Sequence, residues 1–540
     1  MAKLFPFYKV RSGGLDFQKN EKGPPQNSLF FYILFIALIF CGLILRLFQL
    51  TIVKGNYYQR LSEQNRIREL IIDPRRGSIL DRKGMVIAKN EESKTDRNDA
   101  HIESGRTYGY SYSIAHLIGY RQTADKNDLK NDNCINPLHL GDKVGKKGVE
   151  KLFECDLRGL HGKKLIEVDA KGAYVKTITV QPPKDGKPIQ LAFDSVLQEK
   201  AYELIKTKNA VVVALKPKTG EVLILTSSPS FDPQDFEDAN TSSIRKYFSD
   251  PSKPMFNRAT EGVYPPGSLF KLTVASGALE EKKITEKTLF EDTGTIKAGP
   301  LTFGNWYFLQ YGKTEGMVDI VKAIRRSNDI FFYRTGGLLG PEDLKKWAEI
   351  FGYGKQTGIG FEEAEGTIPS PFWKEETLKD QWYTGDMYNF SIGQGYLLTT
   401  PLQVALASSV FANDGSLCVP QLLKVNDEIK PQCKKLPLSD KTIALIKRGM
   451  EEACSPGGTG WPLFDFSVSS TSAKIQTACK TGTAESHSVS GIPHAWFTVY
   501  APSSNPEIAL TILIEEGGQG SDVAAPIAKE ILKSYFERKE

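Results

Sequence analysis

Tyr264-Pro265-Pro266-Gly267-Ser268-Leu269-Phe270-Lys271 is the stretch from which the rest of the chain is read. Two prolines and a glycine cannot continue a helix backwards, so they set its start. The run from Ser268 to Glu280 reads as that helix, with Leu269, Leu272, Ala275 and Leu279 as its apolar stripe. Ser268 then sits in the first turn, where backbone N–H groups have no helical partner. Lys271 falls one turn on, on the same face and within reach of the serine hydroxyl. A lysine kept neutral by burial can act as the base that turns a serine into a nucleophile.

The pair alone is weak: Ser243-Ile-Arg-Lys246 is another copy, and the bland reading of an isolated match is a helix-capping serine with an exposed lysine. Two further motifs raise it. Ser327-Asn328-Asp329 lies in an apolar helical pattern, and Lys480-Thr481-Gly482-Thr483 ends a β-rich run near the C-terminus. Decoys exist at Ser503-Ser504-Asn505 and Lys218-Thr219-Gly220, but they lack the order Ser-x-x-Lys, Ser-x-Asn/Asp, Lys-Thr-Gly.

The chain has 540 residues, more than one ordinary domain needs. A net charge of +5 makes no case for nucleic acid. No dinucleotide or Walker loop is present, and the six histidines show no paired ligand spacing, so neither cofactor nor metal is expected.

Residues 1–27 are polar and basic, a cytoplasmic tail. Residues 28–53 are apolar enough to cross a membrane and exceed the about 7–15 residues of a signal-peptide core. The positive-inside rule places the remainder outside the cytoplasm. Residues 54–190 form a second, non-catalytic region, with Tyr57–Leu70 helical, Arg76–Gly84 a strand ending in a turn, Asn90–Arg106 a loop and Gly148–Leu157 a helix. Residues 191–540 read as one α+β domain with an antiparallel sheet. Its expected helices are Ser195–Lys208, Asp319–Thr335, Pro341–Phe351, Pro401–Asn413 and one opened by Pro526. Its expected strands are Ala210–Leu215, Glu221–Thr226, Ile475–Thr481, Ala495–Tyr500 and Ile508–Ile514. Cys418 and Cys433 flank a hairpin-like excursion and are expected to pair, with free thiols as the alternative; Cys479 is expected to be a buried small residue in its strand.

The three ordered motifs resemble those of class B penicillin-binding proteins, most of all the elongation type. The resemblance runs from about Leu45 to the C-terminus. Arg76–Gly84, Gly148-Val149-Glu150-Lys151, Leu157-Arg158-Gly159, Phe256–Thr260, Gly393-Gln394-Gly395 and His494–Phe497 carry it beyond the motifs. Asp329, where division-type enzymes usually have Asn, favours the elongation type. The stretch between Ala88 and Ala115 is shorter than the family's usual head region, and no glycosyltransferase module precedes it, which disfavours a bifunctional enzyme.

The resemblance implies a membrane anchor, an elongated mixed pedestal and a transpeptidase domain whose central antiparallel sheet is flanked by helices. It implies a D,D-transpeptidase acting on peptidoglycan stem peptides ending in D-Ala-D-Ala, acylated by β-lactams and served by a SEDS-type membrane glycosyltransferase. Ser268 would be the nucleophile, Lys271 its base, and Ser327 with Lys480 the proton relay. Asp329, Thr481, Gly482 and Thr483 would bind substrate, and the N–H groups of Ser268 and Thr483 would form the oxyanion hole. A division-type transpeptidase, a β-lactam sensor and a β-lactamase remain alternatives; the N-terminal tail offers no signalling module for a sensor, and a β-lactamase usually needs neither anchor nor pedestal.

Overall fold

The computed structural model describes residues 26–91, 105–169, 171–468, 474–486 and 488–538. They divide into two compact units, one of described residues up to 71 and from 163 to 181, the other of described residues from 72 to 162 and beyond 181.

The first unit opens with the helix Gln26–Phe48, continued by one π-helical turn, Gln49–Val53. Leu29–Val53 is long and apolar enough to cross a membrane, and none of its most apolar stretch is buried in protein. The helix Gly55–Arg66 follows. The expected helix to Leu70 stops early: Ile67–Ile72 is a strand in a three-stranded sheet with Gly162–Val168 and Tyr174–Gln181. The pairing available to this β-branched run overrides the local helical pattern.

In the second unit, β1 (Ala210–Lys216), β2 (Glu221–Ser228), β3 (Ala478–Ala484), β4 (His494–Ala501) and β5 (Ile508–Ile514) form one sheet in the order β2-β1-β5-β4-β3, antiparallel throughout. All five expected strands are therefore present. Side chains alternate between the two faces. Val211, Val213, Trp496 and Leu513 face one apolar cluster with the helices Lys271–Glu280 and Pro401–Ser409. Val212, Phe497, Leu510 and Ile512 face the other, with the helices Ser195–Ile205 and Gly520–Glu537. β3 is an edge strand, and it carries the Lys-Thr-Gly motif.

Several local expectations are corrected. The last helix starts six residues before Pro526 and runs through it, because Ala524, Ala525 and Ala528 pack on the sheet and offset the lost backbone bond. Asp319–Thr335 is two helices, Ile320–Arg326 and Asp329–Ile350, broken at Ser327, and Gly340 kinks the second just before Pro341. Gly148–Leu157 breaks at Phe153. Of the expected loop Asn90–Arg106, Asn90 pairs with Arg106 and Glu91 with Gly105 in strands; residues 92–104 lie outside the described residues. Within Arg76–Gly84 only Ile79 and Leu80 are strand.

That segment instead serves as a charged core. Arg76 donates to Glu150 Oε2 at 2.6 Å and to Glu154 Oε2 at 2.7 Å, and Arg106 donates to Glu150 Oε1 at 2.9 Å. Glu150 is fully buried; desolvation would raise its pKa, but Arg106 and Arg76 outweigh it and hold the carboxyl at about 2. Asp81 accepts from Lys83 N and Met85 N and binds the Ser195 hydroxyl at 2.8 Å, tying the following turn to the first helix of the sheet layer.

Three disulfides join Cys134–Cys155, Cys418–Cys433 and Cys454–Cys479, and Cys41 is free and exposed. The expected pairing of Cys418 with Cys433 stands. Cys479 is corrected from a plain buried residue to a bridge. It faces the opposite side of β3 from Lys480, where the end of the helix Asp440–Ala453 presents Cys454.

Candidate active site

Ser268 lies in a 3-10 turn, Gly267–Leu269, and the α-helix begins only at Lys271. Gly267 has φ 56°, and a Cβ there would meet Thr483 O at 2.9 Å. Its N–H donates to Gly393 O at 2.9 Å, while a Cβ at Gly393 would come within 2.1 Å of Gly267 O. These two glycines let the serine turn, the edge strand and the Gly-Gln-Gly loop meet. Gln394 then donates to Thr483 O at 3.2 Å and accepts from Glu485 N, bracing the end of β3.

Lys271 is fully buried. Its Nζ donates to Ser327 O at 2.8 Å and Asp329 Oδ1 at 2.6 Å, and lies 3.5 Å from Ser327 Oγ. Its hydrogen bonds thus run to the second motif. A carboxylate and a carbonyl are strong acceptors for a buried amine. Burial lowers the lysine's pKa, and Asp329 opposes that shift.

Ser327 takes a left-handed backbone, φ 53° and ψ 37°, between its two helices. This conformation is uncommon for a non-glycine residue, and such residues cluster at functional sites. It aims the hydroxyl between two amines: Lys480 Nζ donates to Ser327 Oγ at 2.7 Å, opposite Lys271. Lys480 is fully buried and also donates to Thr481 O at 2.9 Å. Burial above all, then the neighbouring Lys271, push its pKa well below the ordinary lysine value, against the pull of Asp329.

Asp329 is held from several sides. Its Oδ2 accepts from Trp306 N at 2.8 Å, and its own N–H donates to Asn305 Oδ1 at 3.0 Å. Asn305 and Asn328 both donate to Asp292 Oδ2, at 2.8 and 3.0 Å. Sequence reasoning missed Asp292, Asn305 and Trp306, since no period or spacing links them to the motifs. It also missed Thr459, whose hydroxyl meets that of Thr481 at 2.7 Å; the run Gly457-Gly458-Thr459-Gly460 announces only a loop.

Ser268, Ser327, Asp329, Thr481, Gly482 and Thr483 line one cleft of about 490 Å³, with Lys271 and Lys480 beneath its floor. Every predicted site residue is thus in or under it. The decoys lie elsewhere: Ser243 and Lys246 sit on the surface helix Thr241–Ser249, and Ser503 follows β4. A half-buried serine in a cleft that also holds a hydroxyl set between two desolvated amines, with a threonine-lined strand edge, can acylate, protonate a leaving amine and hold a carboxylate.

Comparison with known proteins agrees. A penicillin binding protein transpeptidase domain matches residues 210–533, and a penicillin-binding protein dimerisation domain matches residues 99–191. The peptidoglycan D,D-transpeptidase MrdA of Haemophilus influenzae is 30% identical over 600 aligned residues, covering 93% of this chain and 90% of that one. Penicillin-binding protein 2 of Helicobacter pylori, solved in complex with MreC, superposes with a TM-score of 0.74 at 27% identity, over 87% of this chain and 99% of that chain. A chain from a peptidoglycan synthase complex that coordinates polymerisation and cross-linking gives a TM-score of 0.75 at 26% identity, over 96% and 99%. Since the transpeptidase match spans the whole sheet and all three motifs, and the full-length likeness extends through the pedestal, the chain belongs to the penicillin-binding protein transpeptidases, in the class B group typified by penicillin-binding protein 2.

Proposed function

We propose that Ser268 is the acylated nucleophile of a peptidoglycan D,D-transpeptidase that cross-links stem peptides during cell-wall elongation. The observation that carries this reading is the Ser327 hydroxyl set between Lys271 and Lys480 in the cleft that holds Ser268. Ser268 Oγ attacks the penultimate carbonyl of a D-Ala-D-Ala terminus. Lys271, its pKa lowered by burial, accepts the hydroxyl proton. The N–H groups of Ser268 and Thr483 receive the developing oxyanion. As the C–N bond breaks, Ser327 passes a proton to the departing D-alanine amine and is reprotonated from the lysine pair. Thr481 and Thr483 hold the terminal carboxylate, with Lys480 beneath them. An amine of a second stem peptide then displaces Ser268 and completes the cross-link.

The sequence from 191 onward is read as the catalytic domain and 54–190 as the pedestal. The apolar helix Leu29–Val53 is the anchor, with the basic tail cytoplasmic and the cleft outside. A membrane glycosyltransferase of the SEDS type would supply the nascent strands; the likeness to a chain of a synthase complex supports that partner.

Labelled penicillin followed by peptide mass mapping tests the assignment. One adduct per chain is expected on Ser268, absent in Ser268→Ala and retained in Ser243→Ala. An adduct on any other residue would refute it. Protease added to intact spheroplasts should digest the chain from the outside; full protection would reverse the orientation.

A further inference from the structure

One group of side chains far from the motifs in sequence has no task in this chemistry. We propose that His139, Asp142 and His161 form a zinc-type divalent metal site, oriented by Asp73. The linear sequence hides it, because His161 lies well beyond the His139-x-x-Asp142 turn.

The donor spacing fits a metal shell. One donor atom from each of the three residues lies within 4.8 Å of the others. His139 Nδ1 is 3.6 Å from Asp142 Oδ2, and His161 Nε2 is 3.5 Å from the same oxygen. Tetrahedral ligands with bonds of about 2.0–2.1 Å stand about 3.3 Å apart, so small adjustments would close the shell.

The ring nitrogens meet only carboxylates of this same cluster. The His161 side chain is 10% exposed, and its two buried ring nitrogens each face a carboxylate at 3.3–3.5 Å without an aligned hydrogen bond, as the buried Nδ1 of His139 does at 3.6 Å. Loosely aligned buried contacts of this kind leave room for an ion to take up the nitrogen lone pairs. On the far side of the ring, His161 Nδ1 faces Asp73 Oδ1 at 3.3 Å. A carboxylate behind a ligating imidazole fixes its tautomer and direction, which is the outer-shell arrangement metal-binding histidines use.

The site is built in advance. His139 N donates to Asp142 Oδ2 at 2.7 Å and Asp142 N to His139 O at 3.2 Å, closing the turn that carries both ligands. The Cys134–Cys155 bridge, the Asp132–Arg158 ion pair at 2.7 Å and the Asn136–Gly159 hydrogen bond at 2.6 Å clamp the preceding loop to the segment leading into His161. Two imidazoles and one carboxylate suit zinc and its borderline neighbours, whereas magnesium and calcium prefer oxygen alone. The His139 side chain is 42% exposed, which leaves the remaining position open to water. The ion would pin the turn to His161, a structural role in the pedestal. The competing arrangement is an imidazolium held between Asp73 and Asp142 with no metal.

The test uses the full, tag-free chain in detergent, stripped with EDTA and titrated with zinc against a chromophoric chelator. One tightly bound zinc per chain and a zinc-dependent rise in Tm are expected. Both should disappear in His161→Ala and in His139→Gln; the latter, at a partly exposed position, should leave the EDTA-state Tm unchanged. Asp73→Asn should weaken binding about 10–100-fold while keeping one site. Wild type that binds no more zinc than the variants would overturn the proposal and leave the imidazolium bridge in its place.

Discussion

Lys271 Nζ lies 2.6 Å from Asp329 Oδ1, yet its pKa falls below the ordinary lysine value. Burial dominates and the carboxylate restrains it. Asp329→Asn deletes the restraint, so the pKa values of the lysine pair should fall further. The base must be neutral, so the acid limb of penicillin acylation should move to lower pH. The limb belongs to coupled groups and not to Lys271 alone. The maximum rate should drop as well. Asp329 presents one oxygen to Lys271 and the other to Trp306 N–H, and an asparagine can offer only one. Acylation measured across pH decides; a limb that stays or rises would contradict this account.

Ser327 combines a left-handed backbone with a relay hydroxyl. Ser327→Gly keeps the backbone without strain and removes only the hydroxyl. Acylation should slow by about 10²–10⁴-fold, the usual worth of proton transfer by a placed group. The Tm should stay close to wild type. A rate within threefold of wild type would remove Ser327 from the proton path.

Glu150 is buried between two arginines, with its pKa held at about 2 against 4.5 when unperturbed. Its folded pKa is depressed, so its contribution is complete above the unfolded value and is lost as pH falls from about 4.5 towards 2. Acid unfolding of this region should occupy that window. Glu150→Gln should cost ~3–5 kcal/mol, because it leaves Arg76 and Arg106 buried with less charge opposite. Denaturant melts at neutral pH measure the loss; a cost under 1 kcal/mol would mean the cluster relaxes freely.

The Cys454–Cys479 bridge ties the residue before Lys480 to the end of the helix Asp440–Ala453. It closes a segment of 25 residues, for which chain entropy gives about 3.5 kcal/mol. Cys454→Ser should lower the Tm and slow acylation, since β3 then loses its fixed position behind the cleft. Non-reducing peptide mapping should recover the two cysteines in one linked peptide; finding both alkylated would disprove the bridge.

The strands and the three motifs were legible because their signals are local: apolar β-rich runs, a Pro-Pro-Gly start, a Lys-Thr-Gly end. The helix break at Ser327 was not. Val321, Ala323 and Ile324 before it, and Ile330 and Phe331 after it, read as one helical stripe. What breaks it is tertiary: Asn328 caps Phe331 N and is itself held by Asp292. Asp292, Asn305 and Trp306 shape Asp329 through backbone and side-chain bonds that no periodicity encodes. The alternation argument placed Cys479 opposite Lys480 correctly, but could not show that a second cysteine waits on that face.

The disulfides join residues 21, 15 and 25 positions apart, one after another along the chain. Of the pairings open to six cysteines, this is the one in which each cysteine joins its next neighbour in sequence. In the proposed topology the region after the anchor is delivered in chain order outside the cytoplasm, and each pair can seal as soon as it emerges. Its native connectivity can therefore arise from order of arrival, without a reshuffling enzyme to repair crossed bonds.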